Sequence, residues 1–190
     1  MLAVLGKLIP TLTIDGDRNV LRDAWNLLAG IPGGKVLFSR MIGRIAPYSG
    51  SIGARVTALR PGFCQVELDD RRAVRNHLRC IHAIALANLA ELAGNIALAY
   101  ALPDDARFIV SGMSIEYLKK ARGTITATSE CPVPTSSTRT EYTVPVVMTD
   151  AGGEVVARAT LRSLVGPKSA RAERPGVAPR TARPTHRDLN

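Results

Sequence analysis

Residues 81–102 read Ile81-His82-Ala83-Ile84-Ala85-Leu86-Ala87-Asn88-Leu89-Ala90-Glu91-Leu92-Ala93-Gly94-Asn95-Ile96-Ala97-Leu98-Ala99-Tyr100-Ala101-Leu102. Ala and Leu are strong helix formers and no proline interrupts them, so the stretch predicts a helix although Gly94 costs it about 1 kcal/mol. Glu91 is its only full charge. A helix apolar almost all round must be buried on most sides, in a soluble fold or in a bilayer. A membrane span would carry Glu91 at a cost of about 2.5 to 3.5 kcal/mol, with Asn88, Asn95 and His82 also inside it, so a buried core helix is expected instead.

At about 100° per residue, Ile84, Ala87, Asn88, Asn95 and Leu98 share the face of Glu91, while Leu86, Leu89, Ala93, Ile96 and Tyr100 lie opposite. One side is therefore apolar and the other a narrow polar seam. An unpaired carboxylate taken out of water must find partners or accept a raised pKa. Glu91 is thus a candidate site group, or a structural acid satisfied by Asn88, Asn95 or an arginine; the helix alone leaves both readings open.

The 190 residues, 46% hydrophobic and 22% charged, have the composition of one soluble domain with extensions. Cys64, Cys80 and Cys131 are an odd number without paired or metal-type spacing, which points to a reducing, cytoplasmic setting and to no metal or other cofactor. The apolar segment 1–9 lacks the layout of a signal peptide and reads as a short amphipathic stretch, with a secretory or membrane-surface segment as the alternative. Residues 166–190 hold six basic side chains, two acidic ones and four prolines, and predict a disordered basic tail. The remaining net positive charge is spread through residues 1–165, which suits an anionic small ligand. With aromatics at 4% there is no base-stacking platform for nucleic acid.

Outward from the central helix, the periods change. Asp17 is expected to cap a helix through Val20, Leu21, Ala24, Trp25 and Leu28 that stops at Gly30; a second helix puts Leu37, Phe38, Met41, Ile42 and Ile45 on one face and ends at Pro47. From Ser51 alternation sets in, with Ile52, Ala54, Val56 and Ala58 on one face up to the Pro61-Gly62 turn, and residues 63–68 return. Residues 69–80 form a polar, basic loop. Four further strand patterns cover 107–118, 124–130, 139–148 and 154–164, the last two joined by Asp150-Ala151-Gly152-Gly153 as a hairpin. Pro145 predicts an edge or a bulge. The layout is α+β: a helical extension (1–50), then a domain (51–165) in which an antiparallel sheet wraps the apolar helix, then the tail (166–190).

Asn76, His82 and Glu91 follow the spacing Asn-x5-His-x8-Glu, from a loop into a long helix, ahead of Ser114-Ile115-Glu116-Tyr117 and Ala121-Arg122-Gly123. This order over residues 51–165 resembles the hotdog-fold thioesterases, and most of all the phenylacetate-pathway type with its uncharacterised branch. The resemblance implies hydrolysis of an acyl-CoA thioester, with Glu91 as nucleophile or general base. Asn76 and His82 would position water and thioester, and the Ala83 backbone N–H would polarise the carbonyl. Lys119, Lys120 and Arg122 match the places where the family holds CoA phosphates, and Arg75 and Arg79 are further candidates.

Nine residues of helix turn through about 900° and rise about 13.5 Å, so His82 and Glu91 of one chain point apart. A shared site therefore requires a second subunit, which in the family is how a homodimer, alone or within a tetramer, builds two sites. One departure stands out: Ala83-Ile84 replaces the family's glycine pair after the histidine, adding side chains where the thioester approaches. The alternative that follows is an acyl-CoA-binding hotdog protein without catalysis. Ser111 and Ser114 have no nucleophile-elbow signature around them.

Overall fold

The computed structural model describes residues 17–168, so the readings of segment 1–9 and of the tail beyond Lys168 lie outside the described residues. Three helices lead in: α1 (Val20–Leu28), α2 (Gly34–Ile45) and the short α3 (Pro47–Gly50). Strands β1 (Arg55–Arg60) and β2 (Phe63–Leu68) follow, then a 3-10 turn at Arg72–Val74 and the central helix α4 (Ala83–Ala101). The chain closes with β3 (Ala106–Tyr117), β4 (Ile125–Glu130), β5 (Thr140–Thr149) and β6 (Val155–Pro167).

The six strands form one antiparallel sheet in the order β1-β2-β4-β5-β6-β3. Alternation decides its inner face. Val66, Leu68, Ile125, Ala127, Val144, Val146, Met148 and Leu161 are almost wholly buried at alternate positions of their strands, as is Val56 just before a register slip in β1, and they share one core with Leu89, Ala93, Ile96 and Ala97 of α4. By length and composition α4 could cross a membrane, yet 67% of its 18-residue apolar window is buried inside the fold, because the sheet curls round it and α1 to α3 close much of what the sheet leaves. Trp25 and Phe38 lock α1 to α2 edge-to-face at 5.0 Å.

Two local expectations are corrected. Asn19, not Asp17, caps α1: its Oδ1 accepts from Arg22 N–H at 3.0 Å, while its Nδ2 donates to the carbonyls of Ala99 (2.7 Å) and Leu102 (3.1 Å) at the far end of α4. One amide thus caps one helix and terminates another. Pro145 lies in β5, an interior strand, and the register slip of the β5–β6 pair falls elsewhere, between Met148 and Thr149. The β4–β5 ladder ends at Ser129 opposite Val146, one residue short of Pro145. The Pro145 carbonyl accepts from Ser129 Oγ at 2.9 Å, so its nitrogen also faces the end of β4, where no ladder bond is lost.

Strand β3 carries an irregularity that matters for the site. Its pairing with β6 slips between Val110 and Gly112, leaving Ser111 as an extra residue. The slip switches parity, so Met113, Ile115 and Tyr117 lie opposite Leu161, Ala159 and Ala157, on the helix side of the sheet. Met113 and Tyr117 nevertheless stay exposed, because β3 is an edge strand beyond the width that α4 covers.

Candidate active site

Glu91 sits at mid-length of α4 on the seam, and that seam is the least buried stripe of the helix. Ile84, Ala87, Glu91, Asn95 and Ala99 all keep some exposure while the rest of α4 from Leu86 onward is buried. The acid is half-buried in the single chain rather than sunk among apolar groups. Its Oε1 lies 3.5 Å from Asn95 Nδ2, one helical turn on. None of the ion pairs among the described residues involves Glu91. Asn88 is engaged elsewhere, since its Nδ2 donates to the Tyr48 carbonyl at 3.0 Å and docks α3 on α4. The Oδ1 atoms of Asn88 and Asn95 are buried without partners among the described residues.

His82 is the N-cap of α4. Its Nδ1 accepts from Ile84 N–H at 3.1 Å, which assigns the proton of the neutral ring to the outward Nε2. Its backbone is pinned from both directions, N–H to the Val74 carbonyl at 2.8 Å and carbonyl from Leu86 N–H at 3.1 Å. The neighbouring Ala83 N–H meets no acceptor among the described residues, so one donor of the helix N-terminus is available to a ligand oxygen. The Ala83 carbonyl accepts from Tyr117 Oη at 3.1 Å, and burial pushes the Tyr117 hydroxyl above its ordinary pKa.

Asn76 shapes the loop that leads in. Its Oδ1 accepts from Leu78 N–H at 2.9 Å, and its own N–H donates to the Cys80 carbonyl at 2.9 Å, closing a tight turn in which Arg79 adopts φ 55°. Oδ1 is thus committed to the loop, and Nδ2 is the atom left to face a ligand.

The basic residues gather where the sequence placed them. Lys119, Lys120 and Arg122 occupy the exposed turn between β3 and β4, beside the loop carrying Arg75 and Arg79. Two of the five are already engaged: Lys119 with Glu154 at 2.7 Å and Arg75 with Asp70 at 2.6 Å. Asp70 is a residue that sequence reasoning missed. Its second oxygen accepts from Gly123 N–H at 3.0 Å, and Ile81 N–H reaches the Ala121 carbonyl at 2.9 Å, so the two loops are laced together. The Arg75 hydrogen bond, helped by Gly123 and by the charge of Arg122, holds the Asp70 carboxyl below its usual range. Local sequence gave no signal for this, since Asp70 looks like any solvated acid in a polar loop.

The single chain therefore brings Asn76, His82 and the Ala83 N–H to one end of α4 and leaves Glu91 on another side of it. Exposed Ile84 (56%), on the face of the seam, and Tyr117 (45%), bonded to the Ala83 carbonyl, lie at that N-terminal end, and exposed Met113 (41%) lies four residues back along the edge strand. The cysteines are free, and burial pushes the Cys64 thiol far up and that of Cys131 to about 11, so neither is an activated nucleophile.

Residues 34–165 match the family described as a domain of unknown function, DUF4442. The chain belongs to the DUF4442 family. Among solved structures, a structural-genomics protein is 34% identical to this DUF4442 chain, covering 77% of it and 98% of its own length at a TM-score of 0.66. A thioesterase family protein from Silicibacter pomeroyi is 18% identical (68% of this chain, 96% of that one, TM-score 0.58). A thioesterase from Haemophilus influenzae is 12% identical (70% and 94%, TM-score 0.60). No curated protein matches. The likeness to these thioesterases shows the fold: this DUF4442 member is a hotdog protein, an antiparallel sheet wrapped round a central helix.

Proposed function

We propose that the chain hydrolyses an acyl-CoA thioester to the free acid and CoA, in sites built across a homodimer. The supporting observation is the division of labour along α4. A half-buried carboxylate has only an amide beside it, while an outward His82 Nε2–H and an unused Ala83 N–H stand at the same helix's N-terminus, out of reach of that carboxylate. Apposing two seams beside the exposed Ile84, Met113 and Tyr117 would cover that surface and bring Glu91 of one subunit to His82 of the other.

In such a site Glu91 attacks the carbonyl carbon or deprotonates the water that does so. The Ala83 N–H, at the positive end of the helix dipole, stabilises the developing oxyanion. His82 Nε2–H and Asn76 Nδ2 hold the thioester and the water in place. The C–S bond breaks, the acyl carbon gains the water oxygen, and the proton leaves with the CoA thiol. Lys120, Arg122 and Arg79 are the cations of this group outside the Lys119–Glu154 and Arg75–Asp70 ion pairs, and they face the CoA phosphates.

A second reading, acyl-CoA binding without turnover, draws on Ile84, whose exposed side chain stands beside the proposed oxyanion donor. A panel of acyl-CoAs separates the two. Hydrolysis by the wild type, lost by about a hundredfold or more in Glu91→Gln with size and melting unchanged, supports catalysis. CoA binding without product from any substrate supports the alternative, and undiminished turnover in Glu91→Gln removes Glu91 from the mechanism.

A further inference from the structure

The helical extension does more than cover α4. Between α1, α2, α3, the last two turns of α4 and the start of β3 lies a cavity of about 240 Å³. Its walls are apolar, with Leu21, Met41, Ile96, Ala99 and Phe108 among them, and Asn95 is the amide that α4 contributes. Asn95 is also the residue whose Nδ2 reaches Glu91 Oε1, so the cavity begins one helical turn, about 6 Å, from the proposed catalytic carboxylate. The exposed Arg18 and Arg107 line its other end. An apolar space of this size in a folded chain takes an apolar guest; one of about 150 Å³ admits a benzene ring, so by proportion this one accommodates about ten carbons.

We propose that this cavity takes the acyl tail of the thioester, and that the preferred substrates carry unbranched chains of about eight to twelve carbons. The inference rests on the thioesterase reading and names its substrate class. An acyl carbonyl placed at Glu91 sends its tail along α4 past Asn95 and Ala99 toward Leu102, under the roof of α1 and α2. Ala99 faces the space directly and Met41 closes it from α2. Chain length is therefore read by the extension, while the chemistry stays at Glu91.

The test uses the full chain, a straight-chain series from butyryl-CoA to palmitoyl-CoA, and a fluorescent eleven-carbon fatty acid displaced by decanoate. Ala99→Phe fills the cavity and is expected to lower kcat/KM for decanoyl-CoA by at least about tenfold while butyryl-CoA stays within about threefold. Met41→Ala enlarges it and is expected to move the optimum toward longer chains, which also guards against a simple folding defect in the first variant. Equal loss across all lengths in Ala99→Phe, with no shift in Met41→Ala, would overturn the inference. Should no thioester be hydrolysed at all, the catalytic reading fails, but decanoate binding that Ala99→Phe abolishes would still support the cavity as an acyl site. Absence of decanoate binding to the wild type would count against it.

Discussion

Gly94 sits in the middle of α4, where glycine weakens a helix by about 1 kcal/mol relative to alanine. Its place in the fold explains why. A Cβ there would stand 3.1 Å from Val144 Cγ1 and 3.2 and 3.3 Å from the two methyls of Leu161, and both of those side chains are fully buried between helix and sheet. Gly94→Ala should gain about 1 kcal/mol from propensity and lose about 1 to 3 kcal/mol to overpacking. The expected balance is a destabilisation of about 1 kcal/mol, seen as a melting temperature about 2–4 °C lower. Chemical denaturation of Gly94→Ala, Val144→Ala and the double variant isolates the β5 contact: once Val144 is shortened, adding the methyl should cost less, a coupling of at least about 0.5 kcal/mol. A Gly94→Ala protein more stable by the full propensity gain would refute the close approach of α4 to β5 and β6, and strict additivity with Val144→Ala would refute the contact with β5.

Asn19→Ala removes the α1 cap and the donor to the Ala99 and Leu102 carbonyls together, and should cost about 1–2 kcal/mol by denaturant melts. A loss no larger than that of a surface substitution would mean that the bridge from α1 to α4 is not made. Asp70 titrates below its unfolded value, so the stability it contributes is present above the ordinary aspartate range and is lost as pH falls through the lower folded value. Melting temperatures followed from neutral to acidic pH should fall less steeply over that window in Asp70→Asn than in the wild type, and identical slopes would count against the Arg75 and Gly123 contacts.

Much of the fold was legible because it is local. The helix over 81–102 appears as Ala83–Ala101, the return strand at 63–68 as Phe63–Leu68, and the Asp150 turn as the hairpin between β5 and β6, closed by Asp150 Oδ1 accepting from Gly152 and Glu154 N–H. Strand order was not legible. Nothing local says that β3, which follows α4, pairs with β6 at the far edge, or that the β4 ladder stops just short of Pro145. The polar seam was readable from helical geometry, and Asn95 proved to be the partner of Glu91. Asn88 has the same chemistry but docks α3 instead, because only the packing of the lead-in decides which amide a carbonyl meets. The cavity and the second bond of Asp70, to Gly123 N–H 53 residues on, were not legible because distant segments make them, whereas its bond to Arg75 spans only five residues.

A site that takes Glu91 from one subunit and His82 from another must be restored when two inactive variants, one at each residue, share a dimer. Glu91→Gln and His82→Ala, each of low activity alone, are unfolded together in equal amounts and refolded. Random pairing gives about half mixed dimers, each with one intact site out of two, so the mixture should regain about a quarter of wild-type acyl-CoA hydrolysis. A mixture no more active than its components, from proteins that do exchange subunits, would contradict the shared site.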